Sequence, residues 1–489
     1  MNKLYDIVLK TQENRKLLYF KGNADITEQG LHIAAGDTVD FLTYFNSFSV
    51  KKWKEYTNIK NLQINGVVTG CIELEIYTIG KNGKVLMNQQ VRGSFGVCFD
   101  VENVSGEILG IKVKANIDTI IQEITYLGEF NEWKHQKIGV VICTYKREKY
   151  VHTTIDKLVK FSKKNPWLTT LVVDNSSTLK ECENEYLRII YNPNYGGSGG
   201  FTRGIIENLK NKTNDYVLLM DDDIDLDITV LERTHSVLCG LKKEYRDSFI
   251  AGAMIDKDNP YLQYENTGFW NKIKPSSLGR NYDLSRLDIL EKNEKVVFKK
   301  NKYAGWWYCC IPLKRIEMIG LPLPVFIKGD DIEYSIRNKS EIITMNGIGV
   351  WHESFVNKKN GCVNYFADRN MLMINNYIDN SNCFYFSIEL FLRMLRRILE
   401  FKKQSLFYFY YAISDYQKGF NYITAFHPSD KLNWLNKEVN KSCIYKLLLQ
   451  IFFNVFVIII KYEKIKKDYI KFRNKNLGNT TFWNRYLNI

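Results

Sequence analysis

Three near-continuous apolar runs, each ending on a polar cluster, constrain this chain more than any other feature. They are Ile138-Gly139-Val140-Val141-Ile142-Cys143-Thr144, Thr169-Thr170-Leu171-Val172-Val173-Asp174 and Asp215-Tyr216-Val217-Leu218-Leu219-Met220-Asp221. None alternates polar with apolar residues, so each reads as a strand buried on both faces. Helix-like stretches separate them, and the region from about Lys137 is predicted to be α/β with a parallel sheet. Open α/β sheets bind ligands beyond the carboxyl ends of their strands. The polar groups around Thr144, Asp174 and Asp221 are therefore the first places to look for chemistry.

The flanks read differently. Residues 1–133 hold short alternating runs such as Cys71-Ile72-Glu73-Leu74-Glu75-Ile76, punctuated by turns such as Lys81-Asn82-Gly83. That spacing predicts a β-sandwich, jelly-roll-like, with a binding or scaffolding role. Residues 134–380 form the α/β domain, and 381–489 a helical, basic region. The chain's 489 residues suit two to four domains. After residue 380 there are 18 Lys and Arg against 7 Asp and Glu, so most of the net charge of +14 lies there. A basic region suits an anionic partner or a solvated surface.

Within that region Leu447–Ile460 is apolar apart from Gln450 and Asn454, with Lys461, Lys464, Lys466 and Lys467 following. As a helix it spans about 21 Å against a hydrocarbon core of about 30 Å. It reads either as a membrane-surface helix with a polybasic flank or as a buried core helix. The N-terminus lacks an apolar secretory segment, and the cysteines form no C-x-x-C pair. Both features point to a reducing compartment. Nucleic acid is not an expected partner, because no recognised motif for it is present.

Five constellations are candidates for chemistry. Asp221-Asp222-Asp223 directly follows the third apolar run; three adjacent carboxylates repel one another and suit a divalent cation, although acidic triplets also occur as solvated turns. Asn192-Pro193-Asn194-Tyr195-Gly196-Gly197-Ser198-Gly199-Gly200 permits close backbone approach to a ligand, and Arg203 follows as a phosphate-binding candidate. Asp330-Asp331 opens a helix-like stretch, where one carboxylate can cap the helix while the other acts as a base. His352, after Gly349-Val350-Trp351, completes an O/O/N set if the fold brings it to the triplet. Trp306-Trp307 offers a surface for stacking sugars, or ordinary core packing.

Taken together and in this order, these residues resemble a family 2 inverting glycosyltransferase of the GT-A fold, and more closely the polymerising galactofuranosyltransferases of cell-wall galactan. The resemblance extends to Thr43-Tyr44-Phe45-Asn46-Ser47-Phe48 with Trp53, to Thr144-Tyr145-Lys146-Arg147 and to Tyr365-Phe366 with Arg369-Asn370. It implies a β-sandwich, a GT-A domain and a C-terminal helical region. It implies that Asp221, Asp223 and His352 hold a divalent metal, Mn2+ or Mg2+, and that Asp331 is the catalytic base. Thr144, Tyr145, Arg147, Asp174, Asn194, Gly196, Gly197, Arg203 and Asp222 would line the nucleotide-sugar site. Trp306, Trp307 and Asp330 would shape the acceptor site. One departure is Gly329, where the resembled enzymes carry tryptophan.

The resemblance further implies a UDP-galactofuranose donor, a lipid-linked glycan acceptor and a role in cell-surface polysaccharide synthesis. The location would be cytoplasmic, peripheral on the inner face of the membrane, with homo-oligomerisation open. Two alternatives stand beside it: another family 2 transferase, such as a dTDP-rhamnose-dependent one, and a non-catalytic carbohydrate-binding protein.

Overall fold

The computed structural model describes all residues except 296, 298, 354–360, 380 and 401. The strands predicted from the apolar runs lie side by side in an eight-stranded sheet. Its central order is Leu187–Tyr191, Leu168–Asp174, Ile138–Thr144, Tyr216–Asp221, with Tyr308–Pro312 antiparallel beyond. The first four are parallel and in register, Thr144 beside Asp174 and Cys143 beside Asp221.

These strands are apolar throughout because both faces are covered. Val140, Ile142, Val172, Leu218 and Met220 point into one core, shared with the N-terminal β region. Val141, Leu171, Val173, Val217 and Leu219 point into a second, shared with the C-terminal helices. The sheet is thus the middle layer between a β-rich region and a helical one, and the central unit is a GT-A-like α/β domain.

In the N-terminal region, nine strands form one hydrogen-bonded sheet around a strand of 21 residues, Ile59–Ile79. Along one edge this strand pairs with Val85–Asp100. Along the other it pairs first with Thr119–Phe130 and then, past a bulge, with Ile108–Ala115. Gly70 sits at the change of partner with φ +127°, a conformation side chains rarely adopt. The Thr43–Phe48 segment seals this region to the central domain: Tyr44 Oη donates to Ile348 O at 3.1 Å, and Arg233, buried, donates to the carbonyls of Phe45 and Ser47.

C-terminal to the sheet, helices Gly361–Asn375, Cys383–Leu399, Lys403–Ile423, Ile444–Ile460 and Tyr462–Asn476 cover its second face. The chain end returns to the central domain, where Trp483 Nε1 donates to Pro322 O at 3.0 Å. Among the described residues, no single helix is long and apolar enough to cross a membrane. The pair Ile444–Ile460 and Tyr462–Asn476 reaches that composition together, but the two are bent by 74°.

Candidate functional site

Strand order fixes where a site can form. Ile138–Thr144 has Leu168–Asp174 on one side and Tyr216–Asp221 on the other. The connections therefore leave in opposite directions, and the space beyond Thr144 and Asp221 is where such a sheet binds its ligand. The acidic triplet begins there. Its far end is tied by a short backbone ladder: Asp225 N donates to Trp351 O at 2.8 Å, and Trp351 N returns the bond at 3.0 Å. That ladder delivers His352, 131 residues away in sequence, to the triplet.

His352 Nε2 lies 3.2 Å from Asp221 Oδ2 and 3.1 Å from Asp223 Oδ1. One ligand atom from each of the three residues falls within 4.8 Å of the others, so the group could hold a metal ion. Nδ1 lies 2.6 Å from Glu353 O, which fixes the ring and leaves Nε2 for the carboxylates. His352 and Asp223 are buried, while the Asp221 side chain is 34 % exposed and forms the open side. Burial alone would lower the His352 pKa; hydrogen bonds to Asp221 and Asp223 raise it to about 9. A proton here holds the place a divalent cation would take.

Asp222 turns the other way. It accepts from Thr144 Oγ1 at 2.7 Å and from Arg147 at 3.2 Å, and burial pushes its pKa up to about 6. Arg147 also reaches Asp223 at 2.6 Å. Lys257, which sequence reading missed, donates to the Asp223 carbonyl. It follows Asp256, which is paired with His352 across parallel strands; only that pairing identifies it.

Asp330 and Asp331 open the helix Asp330–Asn338, where the dipole favours negative charge. Asp330 is buried and Asp331 is half-buried. Burial pushes both carboxyls up, and Asp221 adds to the push on each. The triplet and the pair therefore share one electrostatic environment. The preceding loop is held in unusual backbone, with Phe326 at φ +74°, Lys328 at +67° and Gly329 at +93°. Asn370 Nδ2 donates to the carbonyls of Ile327 (2.7 Å) and Lys328 (2.9 Å), and Arg369 to that of Val325 (3.0 Å). The Arg369-Asn370 motif is thus a support for the loop that carries Asp331. A Cβ on Gly329 would lie 2.4 Å from Ile374 Cδ1 and 3.1 Å from Met371 Cε, so a tryptophan there would require those side chains to shift.

The glycine-rich stretch is the first turn of the helix Gly196–Asn211. Gly196 has φ +69°, and a Cβ on it would meet Phe326 O at 2.2 Å. Asn194 Oδ1 accepts from Gly196 N at 3.1 Å, and a Cβ on Gly197 would lie 3.8 Å from Asp330 Oδ2. The helix N-terminus, a favourable place for anions, therefore abuts the carboxylate pair. Tyr145, next to Thr144, has 46 % of its surface exposed.

Four of the expected residues make their contacts elsewhere. Asp174 is fully buried and accepts from Ser176, Thr178 and Leu179, which shapes the loop after its strand. Arg203 points along its helix to Glu207 at 3.1 Å and does not join the cluster. Trp306 is 4 % exposed and packs edge-on against Phe201 and Tyr334. Trp307 is 6 % exposed, and its Nε1 donates to Gly252 O at 2.8 Å. Neither ring presents an open face, because apolar neighbours from both sides of the sheet claim them.

Residues 8–126 match the family described as galactofuranosyltransferase 2 N-terminal, and residues 139–290 match glycosyl transferase family 2. Asp331 and His352 lie beyond the second match. A galactofuranosyltransferase GlfT2 of Mycolicibacterium smegmatis is 24 % identical over 391 residues, covering 71 % of this chain and 59 % of that one. The GlfT2 of Mycobacterium tuberculosis is 25 % identical over 385 residues, covering 71 % and 60 %. The chain thus spans about three fifths of the length of these curated relatives. A crystal structure of Staphylococcus aureus TarS residues 1–349 with UDP-GlcNAc is 14 % identical, with a TM-score of 0.38, covering 68 % of this chain and 92 % of that one. The chain therefore carries a glycosyltransferase family 2 domain behind a galactofuranosyltransferase 2 N-terminal domain, with homologues named galactofuranosyltransferase.

Proposed function

We propose that this chain transfers galactofuranose from UDP-galactofuranose to a hydroxyl of a lipid-linked glycan, with inversion, in cell-surface polysaccharide synthesis. The observation that carries the reading is the convergence of Asp221, Asp223 and His352 with the Asp330–Asp331 pair. The donor reading draws its support from the relatives' names and from the N-terminal family match.

Asp221, Asp223 and His352 would hold the divalent ion. Two carboxylates and an imidazole nitrogen suit manganese better than magnesium, which prefers all-oxygen sites. When bound, the ion neutralises charge on the leaving diphosphate. Arg147, on the rim of the triplet, and the N-terminus of the Gly196–Asn211 helix orient the same anionic groups. Asp222, bonded to Thr144, keeps the triplet's backbone in place.

Asp331 is the base. It is the more exposed of the pair, and its raised pKa suits proton transfer near neutral pH. It takes the proton of the acceptor hydroxyl, whose oxygen attacks the anomeric carbon on the face away from the diphosphate. A single displacement inverts the configuration. Asp330, buried behind it, retains its proton more readily and holds the helix start.

The test is UDP release from UDP-galactofuranose with a synthetic galactofuranoside acceptor, with and without manganese, and the product's anomeric configuration read by NMR. Turnover of dTDP-rhamnose with none of UDP-galactofuranose overturns the donor. Sugar binding without turnover of any donor overturns the enzymatic reading.

A further inference from the structure

A cavity of about 100 Å³ lies between the N-terminal β region and the central domain, and none of the acidic triplet, His352 or the Asp330–Asp331 pair lines it. Among the described residues, four lysines line it and no carboxylate does. Lys52 comes from the N-terminal helix Val50–Tyr56, Lys292 from the helix Leu287–Glu294, Lys295 from just after it, and Lys302 from the strand Lys302–Tyr303. Lys52 is buried, 3.7 Å from Glu294, and donates to the carbonyl of Thr344 at 2.6 Å. Lys302 is half-buried and paired with Glu341 at 2.9 Å. Lys292 and Lys295 are exposed, Lys292 lying 4.7 Å from the Tyr282 ring, and among the described residues neither has an ion-pair partner. Asn266 also lines the cavity and is 8 % exposed. Its Nδ2 donates to Asn293 Oδ1 at 3.1 Å, but its own Oδ1, buried, has no hydrogen-bond partner. A buried amide oxygen without a donor is costly, and it marks a place where a ligand supplies one.

We propose that this cavity binds a phosphate group. The lysines call for an anion, and Asn266 Oδ1 calls for a hydrogen-bond donor. Carboxylate, chloride and sulfate bring no donor near neutral pH. Monohydrogen phosphate brings acceptor oxygens for the lysines and one O–H for Asn266, and a phosphorylated sugar brings the same pair through a neighbouring hydroxyl. The volume falls well short of the roughly 300–1,000 Å³ of a pocket for a larger organic ligand, which suits a group of a few heavy atoms. Two of the four lysines are exposed, so the group reaches the cavity from solvent. Once bound, it ties Lys52 of the N-terminal region to Lys292 of the central domain. Asn266 directly follows Glu265, whose carboxyl is pushed up by burial and by Asp331. The phosphate thus sits behind the chain segment that faces Asp331.

The inference stands apart from the donor and the transfer chemistry. Its test is calorimetric titration of the full chain, without metal and at constant ionic strength, with inorganic phosphate, sulfate and glucose 1-phosphate. Phosphate is expected to saturate one site per chain and to bind roughly fivefold more tightly than sulfate, which lacks the donor. The double variant Lys292→Ala, Lys295→Ala is expected to weaken that site at least about tenfold. Both side chains are exposed, so its melting curve without phosphate should match wild type, while the rise in melting temperature that phosphate gives wild type should be lost. Either order of inorganic phosphate and glucose 1-phosphate supports the site, and the tighter of the two identifies the source of the group. Absence of saturable binding overturns the inference, as does binding that the double variant leaves undiminished. Equal affinity for sulfate and phosphate overturns the choice of phosphate, since Asn266 then takes no part.

Discussion

The triplet Asp221–Asp223 and the pair Asp330–Asp331 lie near one another, yet their surroundings differ: cationic side chains reach the first, and burial dominates the second. Arg147, Lys257 and His352 all reach the triplet. The pair sits at a helix N-terminus, which favours the charged form, but burial outweighs it and pushes both carboxyls toward the protonated form. On the proposed reading, one acidic cluster is neutralised by cations and the other exchanges a proton. Counting carboxylates does not separate them; what packs around them does.

The sharpest way to break this contrast is Asp331→Asn. Transfer should fall by about a thousandfold, the scale of a lost general base. Thermal stability should hold or rise, because the replaced carboxyl was disfavoured in its charged form. A large fall in melting temperature with activity retained would make Asp331 a structural cap. Asp223→Ala comes next: manganese affinity should fall by roughly a hundredfold or more, since changes even in supporting groups cost about ten- to a hundredfold. Manganese titration followed by calorimetry reads it directly, and Asp331→Asn should leave that affinity nearly intact.

Proton linkage sharpens the comparison further. Manganese must displace the proton that raises His352 to about 9, so its affinity should increase with pH up to that value. For Asp222 the sign runs against the usual carboxylate. Its pKa is about 6 folded and about 3.9 unfolded, so the metal-free native state holds the extra proton between those values. Its contribution to stability is therefore largest below about pH 4 and is lost as pH rises through about 6. Melting curves of Asp222→Asn against wild type should show that difference. The smallest effect is expected from Arg15→Ala, which removes an ion pair to Asp225 at 2.6 Å and a guanidinium lying 3.9 Å from the Trp351 ring. About 1 kcal/mol of stability should go, with a modest loss of manganese affinity through His352.

The sequence makes the sheet legible because strands buried on both faces leave no polar alternation. The triplet is legible because it ends such a strand. His352 needed the ladder between Asp225 and Trp351, which no local pattern announces; only the order of motifs along the chain pointed to it. Trp306 and Trp307 left two readings open because an aromatic pair looks alike in a platform and in a core. Asp174 was no easier to read, because a carboxylate that shapes its own loop has the same letter as one awaiting a ligand. Lys257 was invisible, since a single lysine after a short strand carries no signal until the strand's neighbour is known. The apolar run from Leu447 left two readings open because a helix can be core on one side and exposed on the other, and this one is both.

The seating of Gly196 against Phe326 has a consequence for anyone wishing to retarget this molecule. Ser198 N donates to Phe326 O at 3.1 Å, and Ser198 Oγ to Leu323 O at 2.6 Å. The first turn of the Gly196–Asn211 helix and the segment leading to Asp331 are therefore keyed together like two halves of a hinge pinned shut. Substitutions that reshape one half will drag the other, so a library aimed at new sugars should spare both and vary the rim at Tyr145 instead.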